Sequence, residues 1–395
     1  MKAVNRMSSG PKGSPKGSAK ESKVKISSYQ GVMVSLAVTI GTLFITVTRE
    51  IGRLSGIEAY IVVPAAYLIM AILLVPVFLF NSRFPGKRVG EYSQTILGGF
   101  FGKLLSLVLM AVMLAVGALV LRNTAEFWGA ALMPETPLWF FLITLIVLVI
   151  YTLMHGFEVY VRVCQVLFFA VIGSLLFLVL VALVKMDSEN LLPVFYRGWG
   201  PILGGGVRIA GIAAQYAIFS AAVFGHLRDA QTGITTGLKG WLTAGLLLSL
   251  IMLAVQGVFG PQQLAKFVSP PLELAKIIEI GGVARGLEAL IVSSWIVAGF
   301  LQITAYFYTV SIIAVDVFPR ISYRTSLLAV SVPIFVGAYL IPSQEQLFTL
   351  FAILRTYVIL PAAIGSFGIL IIVAFLRGML KKSSSSGQRE KEESK

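Results

Sequence analysis

Charge is scarce in this sequence. Asp, Glu, Lys and Arg make up 13% of its 395 residues, against about a quarter in a soluble domain. Hydrophobic residues make up 57% and the mean hydropathy is +0.88. No water-soluble core of this size hides so much apolar surface, so the composition implies an integral membrane protein. Cysteine is nearly absent. Cys164, the single one, excludes an internal disulfide and a multi-cysteine metal site, and in its apolar run it reads as a buried thiol. The two histidines, His155 and His226, fall at expected helix ends without the convergent ligands that a metal needs. Acidic residues are few, and none falls at clear mid-depth of an expected span, which counts against a proton relay through a buried acid. A phosphate loop, an H-E-x-x-H pair and a nucleophile elbow are all missing; "GGFFGK" at 98–103 lacks the phosphate-loop spacing. Enzyme chemistry therefore finds no support, and no cofactor is implied. The first 25 residues are polar and rich in Ser, Gly and Lys, with no short apolar core that would mark a cleavable signal.

What is present is a series of apolar runs long enough for helices that cross a bilayer, about 20 residues each. Ten are expected: 28–49, 58–80, 101–125, 137–154, 158–184, 207–226, 238–259, 286–315, 324–341 and 353–377. The polar tails, 1–25 and 381–395, read as disordered. Most Lys and Arg fall on the side of the two tails, so both termini are expected in the cytoplasm. The net charge of +14 follows from this flanking pattern and implies a lipid bilayer, not nucleic acid, as the partner surface. Between spans, 81–103 reads as a short helix framed by Pro85 and the Gly98-Gly99 pair. The 186–206 segment carries Tyr196 and Trp199, which suit the headgroup region. In 260–282, Ser269 can cap a helix and Pro270 or Pro271 fits its first turn. Leu274, Ile277 and Ile278 share one face there, as in a helix lying along a membrane surface.

Ten spans divide into five and five, and an odd number per half gives the halves opposite orientations. The expected class is thus an all-α integral membrane protein with an inverted repeat, repeat 1 over about 26–185 and repeat 2 over about 200–380. Span 1 holds Thr39, Ile40, Gly41 and Thr42 near its middle. Span 6 opens on Gly204, Gly205 and Gly206 and continues as "GIAAQY" at 211–216. Glycine interruption at matching positions of two halves points to broken helices 1 and 6 and a substrate site at mid-membrane. Helix ends there suit a carboxylate and freed carbonyls suit an ammonium group, together a zwitterionic amino acid. Close helix packing is the competing reading of the same glycines. Gln302 and Thr304 in span 8 either line a cavity or bond a neighbouring helix. Arg122 with Glu126, and Glu158 with Arg162, have the spacing of ion pairs along a helix. Arg208 either snorkels or holds a carboxylate.

"KISSYQ" before span 1, "RFPGK" at 83–87, "LMPETP" at 132–137 and the long block at 259–295 resemble the B subunit of GerA-type spore germination receptors. That family is a branch of the amino acid–polyamine–organocation (APC) superfamily of permeases, and the resemblance extends over nearly all of 26–378. It implies a subunit in the inner membrane of the endospore, in complex with an A-type subunit and a lipoprotein C-type subunit. It implies sensing of a small germinant, often an amino acid; an amino-acid or cation transporter with the same fold is the alternative. The implied ligand contacts are Thr39, Ile40, Gly41, Thr42, Ala213, Ala214, Gln215, Gln302 and Thr304. The chain departs from the resemblance in span 6, where "AGIAAQYAIF" replaces a Phe-Pro-Phe-Gly-Glu run, and in span 1, which continues as "ITVTRE" where relatives have Leu-Pro.

Overall fold

The computed structural model describes residues 25–42, 47–277 and 287–379. Residues 1–24 and 380–395, which hold nearly all of the tails expected to be disordered, lie outside the described residues, as do 43–46 and 278–286. Fourteen α-helices follow one another among the described residues. The first half of the chain gives α1 (Ser28–Thr42), α2 (Thr48–Ser55), α3 (Ala59–Ser82), α4 (Val89–Leu97), α5 (Gly99–Leu132), α6 (Leu138–Met154) and α7 (Phe157–Ala182). The second gives α8 (Trp199–Val223), α9 (Gly233–Leu264), α10 (Pro270–Ile277), α11 (Leu287–Val317), α12 (Tyr323–Tyr339), α13 (Gln344–Ile353) and α14 (Leu360–Leu376), the last two joined by a π-helical turn, Leu354–Ile359. Among the described residues the only β pairing is a bridge between Ile26 and Leu227, which ties the start of the chain to the end of α8. Seven segments are long and apolar enough to cross a membrane, and α6 is a shorter apolar helix. With α1 and α12, every expected span corresponds to a helix.

Helices that are apolar all round belong inside a bundle or against lipid. Burial separates the two cases. The most apolar window of the α8 segment and that of the α11 segment are each 83% buried, against 33% for Gln344–Leu376. α8 and α11 are therefore the central helices. Ile72, Leu73, Val166 and Phe375 point outward from the outer ones, as a lipid-facing surface requires.

Small residues set how closely α9 approaches its neighbours. A Cβ on Gly237 would come 2.8 Å from the Phe78 ring, and one on Gly240 would come 2.9 Å from the Tyr216 hydroxyl. At Gly245 it would collide with the Tyr67 ring. Tyr67 in turn stacks on the fully buried Trp241 at 4.4 Å, and Trp241 Nε1 donates to the Tyr67 carbonyl at 2.9 Å. Spaced three and five residues apart, these glycines provide the small-residue packing common between membrane helices.

One sequence expectation meets a different local structure. Helix 6 was expected to break, yet α8 runs unbroken from Trp199 to Val223 and ends in a single 3-10 turn, Phe224–His226. No proline interrupts it, and its central stretch is rich in alanine, the best helix former. Gly204 and Gly206 face open space, while Gly205 packs on Val62. In helix 1, α1 ends at Thr42, the last residue of the expected 39–42 break, and α2 begins at Thr48; residues 43–46 lie outside the described ones. The connecting helices are as expected. α4 sits between Pro85 and the Gly98-Gly99 pair, and Tyr196 and Trp199 are exposed. α10 begins at Pro270, and the Ser269 carbonyl, not its hydroxyl, accepts from the first turn. Leu274 is buried and Ile277 exposed, so α10 docks by one side onto the bundle; Ile278 lies outside the described residues.

Gly245→Val should destabilise the protein by about 1–3 kcal/mol, the usual cost of overpacking, seen as a lower melting temperature in detergent. Gly204→Ala, with open space around it, should melt like the wild type.

Candidate functional site

Two polar layers lie within the bundle. The first joins α1, α8 and α11. Gln302 Nε2 donates to the Val38 carbonyl near the end of α1 at 2.9 Å. Gly41 makes room for this: a Cβ there would lie 2.5 Å from Gln302 Oε1 and 2.9 Å from the Ala298 carbonyl. Packing and placement of a polar group are thus one role. One turn along α11, the Tyr306 hydroxyl donates to Gln215 Oε1 of α8 at 3.1 Å and also meets Gln302. Gln215 is 4% exposed, and its Nε2 has no hydrogen-bond partner. A buried amide donor left unpaired costs about 1–3 kcal/mol, so this group is suited to an acceptor that arrives from outside.

The remaining expected residues divide. Thr39 is buried and its hydroxyl donates within its own helix, to Ser35 O at 2.9 Å. Ile40, Ala213 and Ala214 are buried and apolar, so they shape the layer without bonding to a ligand's polar groups. Thr42 closes α1, and its side chain lies outside the described residues. Thr304 donates to Phe300 O at 2.7 Å. Two residues on from Gln302, about 200° around the helix, it lies off the Gln302–Tyr306 face. The structure thus brings Gly41, Gln215 and Gln302 together and leaves Thr304 aside.

The second layer was not foreseen. Glu50 of α2 lies between two arginines: its Oε1 is 3.1 Å from Arg208 Nε of α8, and its Oε2 accepts from Arg355 Nη1 at 3.2 Å. Arg355 is wholly buried in the π-helical turn. Its side chain runs over the Phe351 ring at 4.8 Å and lies close enough to Tyr67 and Tyr306 to act on both electrostatically. Gly211 lets α8 approach this turn: a Cβ there would meet Arg355 Cβ at 2.7 Å. Arg208 also donates to Ala352 O at 3.1 Å and Thr356 Oγ1 at 3.0 Å. Of the two readings open to Arg208, the carboxylate holds. Positions 208, 211 and 215 share one face of α8, and that face serves both layers. The sequence signal for the second layer was a lone arginine inside the tenth apolar run; its acid partner sits 305 residues away, beyond any spacing rule.

The α4 end of the bundle is tied shut by other contacts. Arg88 Nη2 pairs with Asp316 at 2.5 Å, and the aspartate side chain is almost fully enclosed. Tyr308 stacks on Phe157 at 4.0 Å and lies 2.7 Å from His226 Nε2. Arg162 and Glu158 pair at 2.6 Å, and toward the far end of α5 Arg122 and Glu126 pair at 2.7 Å, both along their helices as the spacing implied. At the opposite end a cavity of about 300 Å³ opens between α2, α8 and α13.

Removing one partner of a buried pair strands the other charge, at about 3–5 kcal/mol. Glu50→Gln should therefore melt well below wild type in purified form, and Glu50→Gln combined with Arg355→Met should recover part of the loss.

By fold, the chain is similar to MhsT, solved in complex with L-phenylalanine (TM-score 0.68, 13% identity, covering 91% of this chain and 94% of that one). It is also similar to a Na+-coupled sialic acid symporter (TM-score 0.67, 14% identity, covering 88% and 79%). The fold is therefore the APC-type fold of membrane transporters. By sequence, it is 24% identical to spore germination protein YndE of Bacillus subtilis over 303 residues, 75% of this chain and 82% of that protein. It is 21% identical to spore germination protein A2 of the same organism over 92% of this chain and the whole of that one, and 23% identical to spore germination protein KB over 65% and 70%. The spore germination protein (spore permease) family matches residues 25–347, and this chain, a non-enzymatic multi-pass membrane protein, belongs to that family.

Proposed function

We propose that this protein is the germinant-sensing membrane subunit of a spore germination receptor. It binds a small amino-acid-like ligand between α1, α8 and α11 and signals by a change of conformation. The observation that carries this reading is the spare Gln215 amide donor, buried beside Gln302 and Tyr306 at the meeting of three helices. Membership of the spore germination family supports the sensing role, and the transporter-type fold supports a ligand at that depth. Ala213 and Ala214 of α8 and Thr39 to Thr42 of α1 frame the ligand, with Gln302 as the second amide and Thr304 behind the α11 face. In this reading the subunit works in the endospore inner membrane beside an A-type and a lipoprotein C-type subunit, with both termini on the core side. A ligand drives such a change only by binding two conformations unequally. The central Gln215–Tyr306 bond provides for that, since a ligand acceptor at Gln215 Nε2 leaves the Tyr306 bond to Oε1 in place and strengthens it through the shared amide.

The transporter-type fold favours a second reading, an amino-acid or cation carrier. Uptake into proteoliposomes separates the two: saturable accumulation of an amino acid by the purified protein identifies a carrier, and its absence with retained binding identifies a receptor.

Gln215→Leu and Gln302→Leu should each raise the germinant concentration for half-maximal response about 10-fold or more, from the loss of one buried hydrogen bond. Response is read as loss of spore optical density, with protein in the spore membrane measured by immunoblot. An unchanged half-maximal concentration at normal protein level would remove Gln215 and Gln302 from the ligand site.

A further inference from the structure

The cavity between α2, α8 and α13 is lined by Arg49, Arg53, Arg208, Glu50 and Phe348 among others. None of the groups of the Gln215 layer lines it. Its charge is unbalanced. The one carboxylate, Glu50, is already shared between Arg208 and Arg355, and Arg355, fully buried, lies behind it. Among the described residues, no carboxylate comes within ion-pair distance of Arg49 or Arg53. Glu345 acts on Arg49 only from farther away.

Arg49 is held in place without being satisfied. Its guanidinium lies 4.2 Å over the Phe348 ring, which fixes the plane of the group. Its Nε and Nη1 are buried yet have no hydrogen-bond partner. Arg53 spends only its Nε, on the Ala265 carbonyl at 2.8 Å. Arg208 uses Nη1 on Ala352 O and Thr356 Oγ1. Guanidinium forks held side by side with unspent donors match an anion that accepts several N–H bonds at once. About 300 Å³ is at the lower end of small-ligand pockets, enough for a small organic acid and ample for an inorganic ion.

We infer that this cavity binds a small anion, a carboxylate or an inorganic ion, through the Arg49, Arg53 and Arg208 guanidinium groups. The anion supplies the negative charge that the cavity lacks. The site is separate from the ligand layer at Gln215 and does not depend on it.

The test uses the full-length protein in lipid nanodiscs, with unfolding followed by tryptophan fluorescence. Sodium acetate, sodium chloride and neutral acetamide are titrated on the wild type and on Arg49→Gln/Arg53→Gln. A saturable rise in melting temperature with acetate or chloride is expected, none with acetamide, and at least 10-fold weaker half-saturation in the double variant. A rise with acetate alone assigns a carboxylate ligand; a rise with chloride as well assigns a site for inorganic anions. No saturable rise with either salt, or equal half-saturation in wild type and variant, overturns the inference. If the double variant does not fold, phenylglyoxal labelling of wild-type Arg53, read by peptide mass spectrometry, decides. Slower labelling in acetate or chloride than in acetamide upholds the site, and equal labelling in all three overturns it.

Discussion

A carboxylate between two guanidinium groups in an apolar bundle constrains the rest of this structure. Arg355 has no exposed surface, and a buried cation is sustained only where it is paired and hydrogen-bonded. Glu50 supplies the pairing from α2, so α2 must lie against α8 and the π-helical turn. The π turn is part of the same arrangement. An inserted residue shifts the helix register and places Arg355 inward while Phe351, one turn earlier, still lies beside it. α8 must then come close enough for Arg208 to reach the same acid, which the missing side chain at Gly211 permits. Charge, helix register and glycine position are in this way one requirement.

Small residues do in this protein what hydrophobic driving force does in a soluble one. Lipid is as apolar as a leucine side chain, so membrane helices associate by close packing and polar contacts. The glycines of α9 admit Phe78, Tyr67 and the Tyr216 hydroxyl, and Gly41 admits Gln302. In each case a bulky or polar side chain from another helix fills the space, so the glycines both bring the helices together and decide which group stands at the interface. The Tyr216 hydroxyl, for example, donates to the Gly237 carbonyl at 2.9 Å, a contact a side chain at Gly240 would displace.

Much of the fold was legible because its causes are local. Apolar run length gave the spans, Pro85 with Gly98 gave α4, and Pro270 gave α10. Gln215 and Gln302 stood out as amides in apolar runs, and both reach the Tyr306 hydroxyl between α8 and α11. Tyr306, which links them, was hidden because a tyrosine in a membrane run reads as core. The continuity of α8 was missed because glycine was read by its conformational freedom, whereas within a membrane its lack of bulk counts for more. Glu50 and Arg355 were out of reach: no periodicity relates residues that far apart, and an acid at the end of an apolar run looks like an interfacial one until the second half of the chain is folded over it.

The chain has no acid in "AGIAAQYAIF", yet the bundle does not lack a carboxylate; it comes from α2 and is neutralised in place by Arg208 and Arg355. With two guanidinium groups on one acid, the layer carries an excess of positive charge, the opposite of what a cation-binding acid in helix 6 would create. Arg208 and Gln215 stand seven residues apart on α8, about 10 Å along the axis, so the charged layer and the amide layer ride on one rigid element. Any displacement of α8 that reshapes the amide layer must either draw Arg208 off Glu50 or carry α2 with it. Separating the pair costs several kcal/mol in this setting, so α2 and α8 are held to move together.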